Sequence, residues 1–299
     1  MRGRQHTPAQ EVGQAAGDAI RARLLAEIPA TERRLDLTGV PTAVLVAGDG
    51  PPVVLLHGAG QFAASWIRMI PRLASTHRVI APDLPGHGAS GLPDGRPDVD
   101  RVLAWLAELV DATCPSPPVL IGKQAGGAIA ARFSSADGHR VSALALVDAF
   151  GLHAFRPSPR FALAMVGFLA RPTEHSRDRF LGQCVGNLED LHDQMGTDWD
   201  LLAAYALERT RDPDVRTASR SLMNGFGVSA LPAAALERIA VPTTLIWGRH
   251  DPAVDVAVAE AASARYGWPL RVIEDCGADP NLERPDALHD ALRSVLTAA

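Results

Sequence analysis

Residues 120–133 read LIGKQAGGAIAARF. Pro118–Gly122 is an apolar run of strand character, the pattern breaks at Lys123-Gln124-Ala125-Gly126-Gly127, and a helical pattern continues to Ala136. The same alternation extends to both sides. Upstream, Arg33–Leu37, Pro41–Ala47 and Pro51–Leu56 are strand candidates, with Gly48-Asp49-Gly50 as the hairpin turn. A helical pattern follows His57-Gly58-Ala59-Gly60 through Ala74, Arg78–Leu84 is a further strand, and Asp98–Thr113 is a helix with Val102, Trp105, Leu106 and Leu109 on one face. Downstream, Val141–Val147, Val241–Trp247 and Pro269–Glu274 are strands, and a closing helix begins near Asp286. Apolar strands separated by helices predict an α/β fold, a mostly parallel central sheet with helices on both faces.

Between 152 and 237 the alternation stops, and the segment reads as helical, most clearly at Phe161–Leu169 and Leu201–Thr210. The expected organisation is therefore an N-terminal helical extension (1–32), a core (33–151 and 238–299) and an inserted helical cap (152–237). In the extension, Val12, Ala16, Ile20, Leu24 and Ile28 recur at steps of four. That stripe predicts a helix packed on the domain or on a second copy in a homodimer.

The 299 residues are 47% hydrophobic and 21% charged, with a net charge of −5, which is the composition of a globular protein. With a net charge of that sign, nothing is expected to attract nucleic acid or an anionic membrane. Cys114, Cys184 and Cys276 are widely spaced, which suggests reduced thiols and a cytoplasmic location. No dinucleotide fingerprint or P-loop indicates a cofactor, and no spacing among the histidines indicates a metal.

Six local signatures, in order, resemble the α/β-hydrolase superfamily, in particular its small members with a helical cap. They are VVLLHGAG (53–60), Trp66, APDLPGHGAS (81–90), LIGKQAGGAIAARF (120–133), LIWGRHD (245–251) and EDCGADPNLERPDAL (274–288). The resemblance covers about residues 33–298 and implies the α/β-hydrolase fold. It also implies an oxyanion site at the backbone N–H groups of Ala59 and Ala125 next to Gly58, and a catalytic acid at Asp251.

Two positions depart from the family pattern. Gln124 stands where the elbow carries a nucleophile, and an amide offers nothing comparable to an activated hydroxyl. Ala278 stands at the vacant position of the catalytic histidine. The first reading is thus a non-hydrolytic enzyme (lyase, cyclase or isomerase type) acting on a small apolar substrate under the cap. In it Gln124 positions the substrate and Asp251 or Asp279 moves protons. Two alternatives stay open: a non-catalytic ligand-binding pseudohydrolase, and an ordinary ester or C–C hydrolase inactivated by engineered substitutions.

Other residues have plainer expectations. Loop aspartates such as Asp279 are ordinarily solvated. Lys123, the only lysine, is worth naming beside the elbow as a base or amine nucleophile, although it is expected at the surface or behind the centre. His57 and His87 are expected to be structural, and His153, His175 and His192 to face solvent. Trp66, Trp105 and Trp247 are expected in the core. Trp199, Phe161 and Phe168 are expected in the wall of a pocket.

Overall fold

The computed structural model describes residues 8–92 and 97–297, with side chains from residue 15 onward. Eight strands form one sheet: β1 (Thr31–Leu37), β2 (Val40–Ala47), β3 (Pro52–Leu56), β4 (Arg78–Pro82), β5 (Val119–Lys123), β6 (Ala143–Val147), β7 (Thr243–Gly248) and β8 (Leu270–Ile273). Their order is β1-β2-β4-β3-β5-β6-β7-β8. The β1–β2 and β2–β4 pairs are antiparallel and the others parallel. β3, β5, β6 and β7 are buried throughout, as strands covered on both faces must be.

The covering helices are α1 (Pro8–Ala26), α2 (Ile70–Ala74), α3 (Val99–Thr113) and α4 (Ala125–Asp137). Between β6 and β7 lie α5 (Pro159–Ala170), α6 (Glu174–Cys184), α7 (Leu188–Met195), α8 (Thr197–Arg211), α9 (Pro213–Leu222) and α10 (Ala233–Glu237). The chain closes with α11 (Val256–Tyr266), α12 (Pro280–Glu283) and α13 (Pro285–Leu296). α3 starts where Asp98 accepts the Arg101 N–H at 2.9 Å, an N-cap, and buries Val102, Trp105, Leu106 and Leu109 as its spacing requires.

Three expectations need correction. Gly48-Asp49-Gly50 makes no hairpin, because β4 lies between β2 and β3; the hairpin turn is Thr38-Gly39, joining β1 to β2. Gly48 and Gly50 have positive φ, and a Cβ there would collide with the His77 and Thr76 carbonyls. Close approach to the loop before β4 therefore explains these glycines. The segment after Gly60 is two short pieces, a 3₁₀ turn over Ala63–Trp66 and α2, rather than one helix. Finally, the buried stripe of α1 runs through Gly17, Arg21 and Leu24 and on to Ile28, while Ala16 is exposed; the Val12 side chain lies outside the described residues.

The shift of the α1 stripe has a cause. Arg21 is buried and forms ion pairs with Asp83 (2.9 Å) and Glu32 (2.7 Å), and it donates to the Tyr205 hydroxyl of α8 (3.3 Å). α1 thus packs on α8 of the same chain, and this face is already occupied without a second copy. Among the described residues no helix is long and apolar enough to cross a membrane.

Candidate functional site

The C-terminal ends of the parallel strands β3, β5, β6 and β7 converge where ligands sit in open α/β sheets. β5 turns into α4 through Gln124, whose φ of 50° and ψ of −116° are far from any ordinary well for a residue with a Cβ. Its N–H donates to Val147 O (3.0 Å), and its carbonyl accepts from Phe150 N (3.0 Å). A Cβ on Gly126 would overlap the Leu56 and His57 carbonyls, so only glycine lets α4 approach β3 this closely. These constraints keep the strained elbow whatever side chain occupies it.

That side chain is turned to the last loop. Gln124 Nε2 donates to Ala278 O at 3.3 Å, and its Oε1 lies so close to Gly58 that a Cβ there would overlap it. Ala278 is fully buried, and its N–H donates to Cys184 O (2.7 Å) at the end of α6. The Ala59 N–H lies in the loop after β3. The Ala125 N–H opens α4 and has no intrahelical acceptor.

Lys123 is neither at the surface nor idle. It is fully buried, ion-paired with the Asp279 carboxylate, and it donates to Asn281 Oδ1 at 2.9 Å. Asn281 Nδ2 in turn donates to Ser65 O (2.8 Å). Asp279 is buried as well, against the expectation of a solvated loop residue, because the ammonium compensates its charge. Gln61 extends the network: its Nε2 donates to Asp279 Oδ1 (3.1 Å), and its Oε1 accepts the Gly58 N–H (3.0 Å). Glu283 fixes the loop from below by accepting from the N–H groups of Gly277 (3.0 Å), Asp279 (3.2 Å) and Gly186 (2.7 Å). Burial raises its pKa above the ordinary glutamate value.

Asp251 stands after β7, with Oδ1 accepting the N–H groups of Ala253 (2.7 Å) and Val254 (3.1 Å). Its Oδ2 is buried with no hydrogen-bond partner. Burial, reinforced by the charge of Asp279, raises its pKa to about 7. Asp148, which the sequence reading missed, ends β6 at a φ of 45° and accepts the Gly248 N–H at 2.9 Å. Its Oδ2 is likewise unpartnered, and burial, with the Asp251 charge next, pushes its pKa well up. A signal was available: Asp148 follows Leu144-Ala145-Leu146-Val147, a carboxylate at the C-terminal end of a parallel strand.

The histidines supply no base here. His57 accepts the Leu84 N–H at Nε2 (3.0 Å) and donates from Nδ1 to Gly58 O (2.8 Å). His87 donates to Pro85 O (3.1 Å) and accepts the Ser219 hydroxyl (3.0 Å), which ties α9 to the core; burial lowers its pKa to about 4. His153, His175, His192 and His250 are exposed. Trp66, Trp105 and Trp247 are core residues as expected. Phe161 and Phe168 pack on Phe180 inside the insert, and neither they nor Trp199 line the two cavities near the site.

One of those cavities, about 180 Å³, is mainly apolar and is lined by Phe150, Phe155, Ala253, Val254 and Val258, with His153, Arg156 and Asp255 also in its wall. Ala253 and Val254 are the residues whose N–H groups hold Asp251, so the carboxyl lies directly behind the cavity wall. The other, about 230 Å³, is of mixed polarity and lies between α7 and the last loop, with Asp190, Leu191, His250, Glu283 and Arg284 in its wall.

Residues 53–291 match the alpha/beta hydrolase family. The chain belongs to that family. It is 29% identical over 280 residues to the 2-hydroxy-6-oxo-6-(2'-aminophenyl)hexa-2,4-dienoic acid hydrolase of Metapseudomonas resinovorans, covering 89% of this chain and 91% of that protein. It is 30% identical over 225 residues to the pimeloyl-acyl-carrier-protein methyl ester esterase of Aeromonas hydrophila, covering 73% and 84%. Among solved structures of the family, the 2-hydroxy-6-oxo-6-phenylhexa-2,4-dienoate hydrolase of Rhodococcus superposes with a TM-score of 0.79 at 26% identity, covering 90% of this chain and 99% of that one.

The raised pKa of Asp251 gives a pH dependence with a definite sign. An unfolded aspartate titrates near 3.9, whereas the folded one keeps its proton to about 7. Between those values the native state holds a proton that the unfolded state releases, so this contribution is full below about pH 4 and lost as pH rises through 7. Asp251→Asn keeps the Oδ1 acceptor and removes the unpaired buried charge. It is expected to stabilise the protein at pH 8 by about 1–3 kcal/mol and to flatten the slope between pH 5 and 8. Urea melts across that range measure it; a destabilised variant at pH 8 would mean that the carboxylate has a partner.

Proposed function

We propose that this member of the alpha/beta hydrolase family is a binding protein for a small apolar ligand and forms no acyl-enzyme at its elbow. The observation that carries the reading is the pairing of Gln61, Lys123 and Asp279 with one another, beside a Gln124 that bonds the last loop. The side chains around the elbow are held by neighbours: Gln124 by Ala278 O, Lys123 by Asp279 and Asn281, and Gln61 by Asp279 and the Gly58 N–H. The ligand space is the apolar cavity between Phe150, Phe155, Val254 and Val258, which Gln61, Lys123, Gln124 and Asp279 do not line. Its volume is close to the roughly 150 Å³ that holds a benzene in an engineered protein core.

A second reading rests on Asp251. A carboxyl that titrates near neutrality, with one unpartnered oxygen just behind the cavity wall, has the acidity of a proton carrier for a lyase or isomerase step. It becomes the better reading if ligand binding is accompanied by chemical change that Asp251→Asn abolishes.

The test is thermal denaturation with cyclohexanone, indole and hexan-1-ol as probes, followed by NMR of the recovered probe. At a hundredfold excess over Kd a ligand adds about 2.7 kcal/mol, and Val258→Phe, which fills the cavity, is expected to remove the shift. A shift that persists in Val258→Phe, or none with any of the three, sinks the assignment of this cavity.

A further inference from the structure

The helix α5 has two apolar faces, and only one of them is used. Phe161, Ala164 and Phe168 are buried, and the two phenyl rings pack on Phe180 of α6. Leu163, Val166 and Leu169, spaced three residues apart on the opposite side, are 64%, 59% and 45% exposed. The fourth large apolar side chain left in solvent among the described residues is Val228, at 47%. Its carbonyl accepts the Phe155 N–H (3.0 Å), in the segment that leads into α5. Single exposed apolar residues are ordinary, but here three lie on one face of one helix and the fourth is hydrogen-bonded to the segment that leads into it.

The segment that carries this face is basic, although the chain as a whole is acidic and Glu174 and Asp178 of α6 follow it. Residues 149–173 contain Arg156, Arg160 and Arg171 and no aspartate or glutamate, although the net charge is −5. All three arginines are exposed, and Arg160 and Arg171 stand at the two ends of α5. Antiparallel pairing of α5 with a second copy would set Arg160 against Arg171, so the charge pattern opposes self-association through this face. An anionic lipid surface satisfies both features, taking apolar side chains among its headgroups and offering phosphates to the arginines.

We propose that the outer face of α5 docks on anionic membrane surfaces. Leu163, Val166 and Leu169 enter the headgroup layer, and Arg156, Arg160 and Arg171 pair with lipid phosphates. The overall acidity of the chain conceals this, because a charge average says nothing of where the arginines lie. Phe155 and Arg156 also line the apolar cavity, so docking sets one of its walls near the lipid. The proposal stands whether or not that cavity holds a ligand.

The test is co-sedimentation of the full chain with vesicles of phosphatidylcholine alone and of phosphatidylcholine with phosphatidylglycerol, two to one. Binding to the anionic vesicles only is expected, weakening as salt is raised. Val166→Asp and the Arg160→Glu/Arg171→Glu pair should each weaken it at least about tenfold. Both changes are at exposed positions, and unchanged circular dichroism and Tm show that the fold is intact. No binding to anionic vesicles, or binding that Val166→Asp leaves untouched, overturns the proposal. So does a dimer in sedimentation velocity that Val166→Asp converts to a monomer, which would make α5 a subunit contact.

Discussion

Lys123→Met lowers the stability of the folded chain by about 3–5 kcal/mol. The ammonium is fully buried, and it is what allows the Asp279 carboxylate to be buried opposite it. Removing it leaves that carboxylate beside Gln61, an amide that donates one hydrogen bond and carries no charge. Asn281 also loses its donor and keeps only its bond to Ser65 O. Lys123→Met/Asp279→Leu removes both charges together and is expected to recover most of the loss, because apolar side chains of similar volume replace buried ion pairs at little cost. Denaturant melts of the single and double variants give the coupling. A loss below about 1 kcal/mol in Lys123→Met would mean that water reaches the pair.

The second large effect is a gain. The strained backbone at residue 124 is set by strand–helix packing, and Asp251 Oδ2 lies buried without a partner. Gln124→Ser places a hydroxyl on that backbone and vacates the volume of the amide next to Ala278 O. Ala278→His supplies an imidazole from the position that the family resemblance assigns to the base, with Asp251 to orient it. Each substitution needs the other: histidine alone meets Gln124, and serine alone has no base. The double variant is expected to hydrolyse 4-nitrophenyl butyrate about 10²–10⁴-fold faster than the native chain, within the span that triad residues contribute in serine proteases. The single variants are expected to stay near the native rate.

Much of the architecture was legible because it is local. The continuous apolar runs of β3, β5, β6 and β7 report strands buried on both faces, and the glycines after β5 report the tight elbow. The order of the strands was less so: the glycines at 48 and 50 look like a hairpin until β4, some thirty residues later, is seen between β2 and β3. α11 went unread because its small residues show little amphipathic contrast; only Ala259 and Ala262 are buried. At the site, the identities of Gln124, Ala278 and Asp251 were readable and their surroundings were not. The state of Lys123 depends on Asp279 and Asn281, 156 and 158 residues away, and that of Asp279 on Gln61, 218 residues away. Composition does not report such pairings, and the ordinary preference of charged residues for solvent points the wrong way for both Lys123 and Asp279.

The elbow's lack of acyl chemistry is the central claim, and one rate tests it most directly. Hydrolysis of 4-nitrophenyl butyrate is followed for the native chain, for Gln124→Ala and for Gln124→Ser/Ala278→His under the same conditions. The predicted result is a native rate indistinguishable from the buffer blank and from Gln124→Ala, with turnover only in the double variant. Native turnover that Gln124→Ala abolishes would contradict the account, because it would show the elbow working with the residues it has.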